Sequence, residues 1–499
     1  MSSPTTTQID VLIVGAGISG IGAAYHLKTR APGTTFAVLE GRDAIGGTWD
    51  LFRYPGIRSD SDMPTFGFAH KPWTHRNSIA EARFILEYLH ETVRENGLDG
   101  HLHFGHRVLA ADFSSTTGRW TVTAQHGDET VEFSAKFLFS GTGYYDYAAG
   151  HTPDFAGIEE FTGTVVHPQH WPEDLDYTGK KVVVIGSGAT AVTLVPSMAG
   201  RAEHVTMLQR SPSYVLSLPA ADPIANLLNR VLGPDRAYPI IRRKNVRQQR
   251  AIFKLCKRYP KLARRLLLAD VRRRLPEGYD VDTHFGPRYD PWDQRLCMVP
   301  NGDLFTAISS GGASVVTDRI DRFTPTGILL ESGAELEAYI VVTATGLNIM
   351  PLGGIVLRVD EAPVELSETT VYKSMMLSGV PNFAFSIGYT NSSWTLKVDI
   401  VCEHFCRLLE HMAATGQDTV VPVLDDPDDA TMARGPLLDL SSGYVQRRIA
   451  AFPKAGTRGA WTAEHAYERD VERLCRGPVE DPALRFTGRR AVAAVASRV

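Results

Sequence analysis

The sequence predicts an α/β chain of two Rossmann-like units with a helical insertion. Three observations predict it: two glycine-rich turns, each set between a short apolar strand and a helical pattern, and a later apolar strand at residues 340–346 that ends in Thr-Gly. The 499 residues suit roughly three folding units at about 150 residues each. Hydrophobic residues make up 43% and charged residues 22%, so the chain can bury a core and is not disordered throughout.

The first unit opens at once. Residues 9–14, IDVLIV, read as a buried strand, and Gly15, Gly17 and Gly20 follow in a GxGxxG turn. Ile21, Ala24 and Leu27 then share one helical face, and the strand FAVLE ends at Glu40, 20 residues past Gly20. In a dinucleotide-binding unit the first glycine makes the turn, the second lets backbone N–H groups approach a pyrophosphate, and the third lets helix pack on strand. The helix N-terminus then presents its positive end to the phosphates, and the acid receives a ribose diol. The run FLFSGTGY at 137–144 reads as the exit from this unit.

The second unit repeats the grammar with one change. KVVVI at 181–185 leads into Gly186, Gly188 and Ala191, but the next strand, HVTMLQ, meets Arg210 and Ser211 where an acid would sit. A cation there suits a 2′-phosphate, and an acid would repel one. The first unit is therefore expected to hold FAD and the second NADPH, which implies hydride transfer from nicotinamide to flavin. The predicted order is an FAD-binding part over 1–145, an NADPH-binding part over 146–218, and a helical insertion over 219–290. The NADPH-binding unit returns over 291–340, and the FAD-binding unit resumes, with the C-terminal tail, over 341–499.

Inside the insertion, residues 242–274 carry 14 basic residues against one acid, Asp270, with Ile252, Leu255, Tyr259, Leu262 and Leu266 at helical spacing. A lobe with its apolar face in the core and its basic face solvated accounts for this pattern, and peripheral contact with an anionic membrane is the other reading it admits. The net charge of −4, from 52 Lys+Arg and 56 Asp+Glu, gives no global field for nucleic acid. The start, MSSPTTTQID, lacks the features of an export signal, and no apolar run approaches the roughly 18 residues of a membrane span. Five scattered cysteines without CxxC or Cys/His spacing predict no disulfide framework, no metal site and a cytoplasmic home.

The stretch FTGTVVHPQHWP at 161–172 spaces Phe161, Gly163, His167 and Trp171 as the FxGxxxHxxxW(P/D) signature of type I Baeyer–Villiger monooxygenases does. A second pattern of that family, GGxWxxxx(F/Y)PGxxxD, fits Gly46, Gly47, Trp49, Tyr54, Pro55, Gly56 and Asp60. The chain resembles this family almost end to end, through YDPWDQRLCMVPNGDL at 289–304 to GYTNSSWTLKVD at 388–399, and within it the ethionamide-activating monooxygenases. The resemblance implies an FAD- and NADPH-dependent enzyme that uses O₂ to turn ketones into esters and to oxygenate thioether or thioamide sulfur. It implies a C4a-peroxyflavin, which must stay deprotonated in a dry site beside a fixed cation. By resemblance that cation is Arg295, oriented by Asp60. The resemblance also places Trp49 near the flavin and makes His167 a hinge residue between the units. Gln294 stands where family members often carry a lysine, which leaves Arg210 and Ser211 as the readers of NADPH. Alternatives are a flavin-containing N- or S-monooxygenase without ketone activity, or a non-oxygenating NADPH–flavin reductase. A disulfide reductase would need a redox pair, and Cys402 and Cys406, four residues apart in an apolar helical run, read more simply as core thiols.

Overall fold

A computed structural model describes residues 7–294, 296–438 and 440–488. Among these residues two parallel-centred sheets carry the architecture. In the first, Thr7–Val14 lies between Phe36–Leu39 and the end of the long strand Glu129–Ser140, parallel to both. Val11, Leu12 and Ile13 are fully buried, as a strand covered on both faces requires. Glu129–Ser140 serves two sheets' worth of partners along one edge. Its first half closes an antiparallel meander with His106–Ser114 and Arg119–His126, and its last residues pair in parallel with Phe383–Phe385. Chain from beyond residue 375 thus completes the sheet that the first residues begin. The helix Trp394–Thr415 then lies along Ile18–Arg30, so close that a Cβ on Gly22 would stand 2.8 Å from Val398.

The second sheet has the order Ala313–Thr317, His204–Gln209, Lys181–Ile185, Ile340–Thr343, Thr164–Val166, all parallel. Side-chain alternation sorts its two faces. Val182 and Val184 pack with the helix Ala189–Met198, while Val183 and Ile185 pack with Phe161, Phe323 and the small antiparallel sheet of Ile320–Thr324, Gly327–Leu330 and Glu335–Glu337. Ile340–Thr343 is a central strand of this second sheet, and the chain crosses back only after it. The outward crossing, Tyr145–Gly150, and the return, Leu347–Ile349, pair with each other as antiparallel strands.

Between the strands of the second sheet the chain builds a lobe from Pro223–Leu232, Pro234–Arg258, Pro260–Arg274 and Val281–Phe285. Each of the first three helices starts on a proline, whose missing N–H and preset φ suit the first helical position. Asp222 caps the first by accepting from the N–H groups of Ile224 and Ala225. Arg242 points inward. Its guanidinium donates to the carbonyls of Pro64, Thr65 and Gly67 and to Asp399 at 3.0 Å, tying the lobe to the first unit. The expected apolar core face is corrected by the structure: Leu255, Tyr259, Leu262 and Leu266 are exposed. Ala237, Ile241, Val246, Cys256, Ala263, Leu268 and Val271, on other faces of the helices, fill the interior. Among the described residues no helix is long and apolar enough to cross a membrane.

One core position sets an acid limit on this fold. His70 stacks between Tyr25 and Phe68, and neither ring nitrogen has a hydrogen-bond partner among the described residues. Burial lowers its pKa to about 3. The unfolded chain takes a proton near the ordinary value of about 6.5 while the folded chain refuses it. Stability is therefore complete above that value and is lost as pH falls toward the folded-state value. We expect His70→Phe to raise stability at neutral pH by about 1 kcal/mol and to flatten the acid arm of a thermal-midpoint-against-pH curve. An acid arm as steep as that of the parent would contradict this account.

Candidate functional site

Both predicted glycine turns are built for backbone approach. Gly15 adopts φ +97°, and a Cβ there would stand 3.0 Å from the Gly141 carbonyl oxygen. Gly20 lies so near the Gly15 carbonyl that any Cβ would overlap it, which is the close helix–strand packing that the third glycine permits. Gly17, at the start of Ile18–Arg30, has no side chain to cap the helix, and its neighbour across the gap is Gly47. Glu40 ends its strand buried. Its carboxylate accepts from the N–H of Ala16 at 2.7 Å and of Arg42 at 2.9 Å. Burial raises its pKa, against the pull of these backbone bonds. Each oxygen keeps a lone pair for a ribose hydroxyl.

In the second unit a Cβ on Gly186 would overlap the Ala344 carbonyl, while one on Gly188 would meet open space. Ala191 is buried in the first turn of the helix Ala189–Met198. Arg210 and Ser211 stand exposed just past the end of His204–Gln209, and the Ser211 carbonyl accepts from the Ser187 hydroxyl at 3.0 Å. The turn and the cation therefore lie at the same ends of neighbouring strands.

Residues of both turns line one cleft of about 1430 Å³. Gly17, Gly47 and Trp49 contribute from the first unit, and Ala189, Thr190 and Thr193 from the second. What brings the units together is the segment at 54–60. Gly56, at φ +74°, sits where a Cβ would overlap Ser197 on the second unit's helix. Tyr54 is buried against Thr190, with which it is hydrogen-bonded, and burial pushes its phenol up to about 12. Arg58 pairs with Asp303 at 2.6 Å, again across the units. Asp60 follows, lining both this cleft and a neighbouring cavity of about 1370 Å³. Arg295, its expected partner, lies outside the described residues. Trp292 and Leu296, close to it in sequence, line the second cavity.

The remaining signature residues lie away from both cavities. Phe161 packs edge-on to Phe323, and Gly163 has no room for a Cβ beside the Phe161 ring and the Tyr339 carbonyl. Trp171 is buried in the core that Phe52 and Tyr54 join. His167 accepts from the Gln169 N–H through Nδ1 at 3.1 Å, so its proton sits on Nε2 and is donated to the Gly346 carbonyl at 3.2 Å. Burial lowers its pKa, in keeping with the neutral ring that these two bonds need. A Cβ on Gly150 would overlap the imidazole. Gln169 and His170 bond the carbonyls of Asp146 and Ala148 on the outward strand, and with His167 on Gly346 the turn at 167–170 ties that strand to the residue just before the return strand.

Sequence reasoning missed several cleft residues. Tyr147 meets the Thr48 hydroxyl at 3.1 Å and stands over Gly47; the aromatic run GYYDY at 143–147 was its available signal. Trp394 is not among those missed: it belongs to the stretch at 388–399 that carries the family resemblance, lines the cleft and donates to the Ser19 hydroxyl at 2.7 Å. The second cavity was unforeseen, because its walls come from Leu216, Leu218, Asn245 and Ile252, which no local pattern joins. Cys402 and Cys406 are buried core thiols, and burial raises both pKa values, that of Cys406 to about 12.

Comparison with known proteins adds three findings. The family described as flavin-binding monooxygenase-like matches residues 9–375. The chain is 52% identical over 487 residues to the FAD-containing monooxygenase EthA of Mycobacterium tuberculosis (strain ATCC 25618 / H37Rv), covering 97% of this chain and 99% of that one. It is 53% identical over 486 residues to the putative FAD-containing monooxygenase MymA of the same strain, covering 96% and 97%. A solved oxidized steroid monooxygenase bound to NADP shares the fold, with a TM-score of 0.76 at 21% identity over 97% of this chain and 100% of that one.

The clasp makes its own prediction. His167→Ala removes two hydrogen bonds worth about 1 kcal/mol each, so amide exchange in Tyr145–Gly150 and Leu347–Ile349 should quicken roughly tenfold or more. Unchanged exchange there would show that the ring does not hold the crossing.

Proposed function

Because the chain belongs to the flavin-binding monooxygenase-like family, we propose that it is an FAD- and NADPH-dependent Baeyer–Villiger monooxygenase. Its substrates on this reading are ketones, converted to esters, and thioethers or thioamides, oxygenated on sulfur. The overall reaction consumes O₂, NADPH and a proton, inserts one oxygen atom beside the carbonyl, and releases the other as water. The observation that carries the proposal is the convergence of both glycine turns on a single cleft, so that two dinucleotides would face each other.

The residues present fit these groups. Gly17 and Gly47, which line the cleft without side chains, suit a pyrophosphate against backbone, and Glu40 has lone pairs for the ribose. Gly188 and Ala191, with Arg210 and Ser211 beyond them, suit NADPH in the same way. When bound, FAD reduced by NADPH supplies the activated oxygen. The chain's part is to exclude water and to fix charge. Trp49, Phe52, Phe66 and Trp394 give the cleft an aromatic wall. Arg295 is assigned the cation that holds developing negative charge, since a guanidinium stays protonated when desolvated. Asp60, in the wall shared by the two cavities, is assigned to orient it. Arg210 is assigned to the 2′-phosphate, with Gln294 adding no charge of its own. The buried, high-pKa thiols give a disulfide-reductase reading no support.

Arg295→Ala should keep its flavin and still oxidise NADPH, while ester and sulfoxide formation, followed by gas chromatography, falls by about 100-fold or more. Ester formation at the parent rate would overturn the assignment. Arg210→Ala should raise the KM for NADPH by about 10- to 100-fold and leave that for NADH nearly unchanged. Equal effects on the two coenzymes would remove Arg210 from the phosphate site.

A further inference from the structure

The helical lobe divides its cations into two populations. Of the 14 basic residues at 242–274, eight turn inward or find acidic partners. Lys244 pairs with Asp222, Lys257 with Asp293, and Arg250 with Glu468. Arg264 donates to Tyr214 and to the Pro287 carbonyl, and Arg272, Arg273 and Arg274 pair with Asp282 or Asp270. Arg242 is the buried eighth. The other six, Arg243, Arg247, Lys254, Arg258, Lys261 and Arg265, have no ion-pair partner among the described residues, and all are exposed.

Their spacing places them together. On Pro234–Arg258 the exposed positions 236, 240, 243, 247, 251, 254 and 258 recur every three or four residues, so they form one stripe along the helix. Arg236, Arg243, Arg247, Lys254 and Arg258 make it cationic, and Ile240 breaks it with an apolar group. Past the helix break at Tyr259, Leu262 and Leu266 are exposed one turn apart on Pro260–Arg274, beside Lys261 and Arg265. The Arg258 guanidinium lies over the Tyr259 ring at 5.6 Å.

The apolar side is equally concentrated. Among the described residues, nine of the 14 exposed large hydrophobic residues fall between Ile224 and Leu266, each 40 to 69% exposed, so their solvent-facing apolar surface belongs chiefly to this lobe. On Pro223–Leu232 the exposed Ile224, Leu227 and Val231 share an outward stripe, while Ala225 and Leu228 pack inward against Ala237 and Ile241. Ile224 also lines the second cavity, which places that mouth at the edge of the same surface.

We propose that the outer face of the helices Pro223–Leu232, Pro234–Arg258 and Pro260–Arg274 docks on an anionic lipid bilayer. The chemistry favours that partner. Unpaired cations interleaved with exposed Leu, Ile and Tyr match an interface of phosphate headgroups over acyl chains, where cations stay at headgroup level and apolar groups enter below. A second copy of this chain pairing face to face would set cation against cation. A nucleic acid would satisfy the charges but leave the leucines without a dry partner.

The test is flotation of the FAD-loaded full chain with phosphatidylglycerol-containing vesicles and with pure phosphatidylcholine vesicles. The expected result is salt-sensitive flotation with the anionic vesicles alone. A variant carrying Lys254→Gln, Arg258→Gln, Lys261→Gln and Arg265→Gln should bind them about tenfold less or weaker still. Leu262→Ser with Leu266→Ser should weaken the binding that survives high salt. Flavin content and NADPH oxidation of both variants, unchanged because none of these residues lines either cavity, separate loss of docking from loss of fold. No flotation, equal flotation with neutral vesicles, or binding indifferent to both variants would overturn the proposal. So would an oligomer, seen by size exclusion, that the leucine variant breaks while flotation is absent, since the face would then belong to a second copy.

Discussion

Packing of the segment at 54–60 against the helix Ala189–Met198 governs how the two units face one another. Gly56 allows that approach because it has no Cβ to meet Ser197, and the Tyr54 phenol and the Arg58–Asp303 pair hold the contact on either side. Both glycine turns then open into the same cleft. A hydride donor and its acceptor must come within a few ångströms, so small rotations between the units would separate the chemistry into two unconnected sites. The crossing strands add a second constraint. Tyr145–Gly150 and Leu347–Ile349 pair with each other, and the turn carrying His167 ties the first to the residue just before the second. The units are therefore joined by a hydrogen-bonded ribbon, and a free linker would let them drift.

Local grammar was the legible part of this fold. The turn glycines, the helix face of Ile21, Ala24 and Leu27, and the strands into and out of both turns were readable because each depends on residues close in sequence. The apolar stripe at 252–266 was read to the wrong side. Helical spacing identifies a stripe, but which of two neighbouring stripes faces the core depends on what the rest of the chain places there, and Ala263, Leu268 and Val271 won. Arg242 was invisible as an anchor for the same reason. Its acceptors come from residues 64, 65, 67 and 399, and no local pattern links them. The strand at 340–346 was recognised, but its place at the centre of the second sheet follows from long-range pairing with Lys181–Ile185 and Thr164–Val166.

Charge in this molecule is handled in two opposite ways. Arg242 is nearly fully buried, and three carbonyls with Asp399 meet its guanidinium, an arrangement that offsets a desolvation cost of several kcal/mol. Asp399 in turn accepts from the Ala69 N–H and faces His26, so a single carboxylate joins two helices and a loop. Along the same helix Arg243, Arg247, Lys254 and Arg258 project into solvent with no ion-pair partner among the described residues. One buried cation thus fixes the helix to the first unit, Lys244, Arg250 and Lys257 pair with acids, and the exposed stripe leaves its charge uncommitted.

The imidazole of His167 occupies the volume in which the first side-chain carbon of any other residue at position 150 would stand. The two sites are not independent: a bulkier residue at 150 displaces the ring, and a smaller one at 167 loosens the crossing and leaves a void beside the glycine. Inheritance of this crossing therefore runs through a coupled pair, in which a side chain at 150 is accommodated only once position 167 has become small.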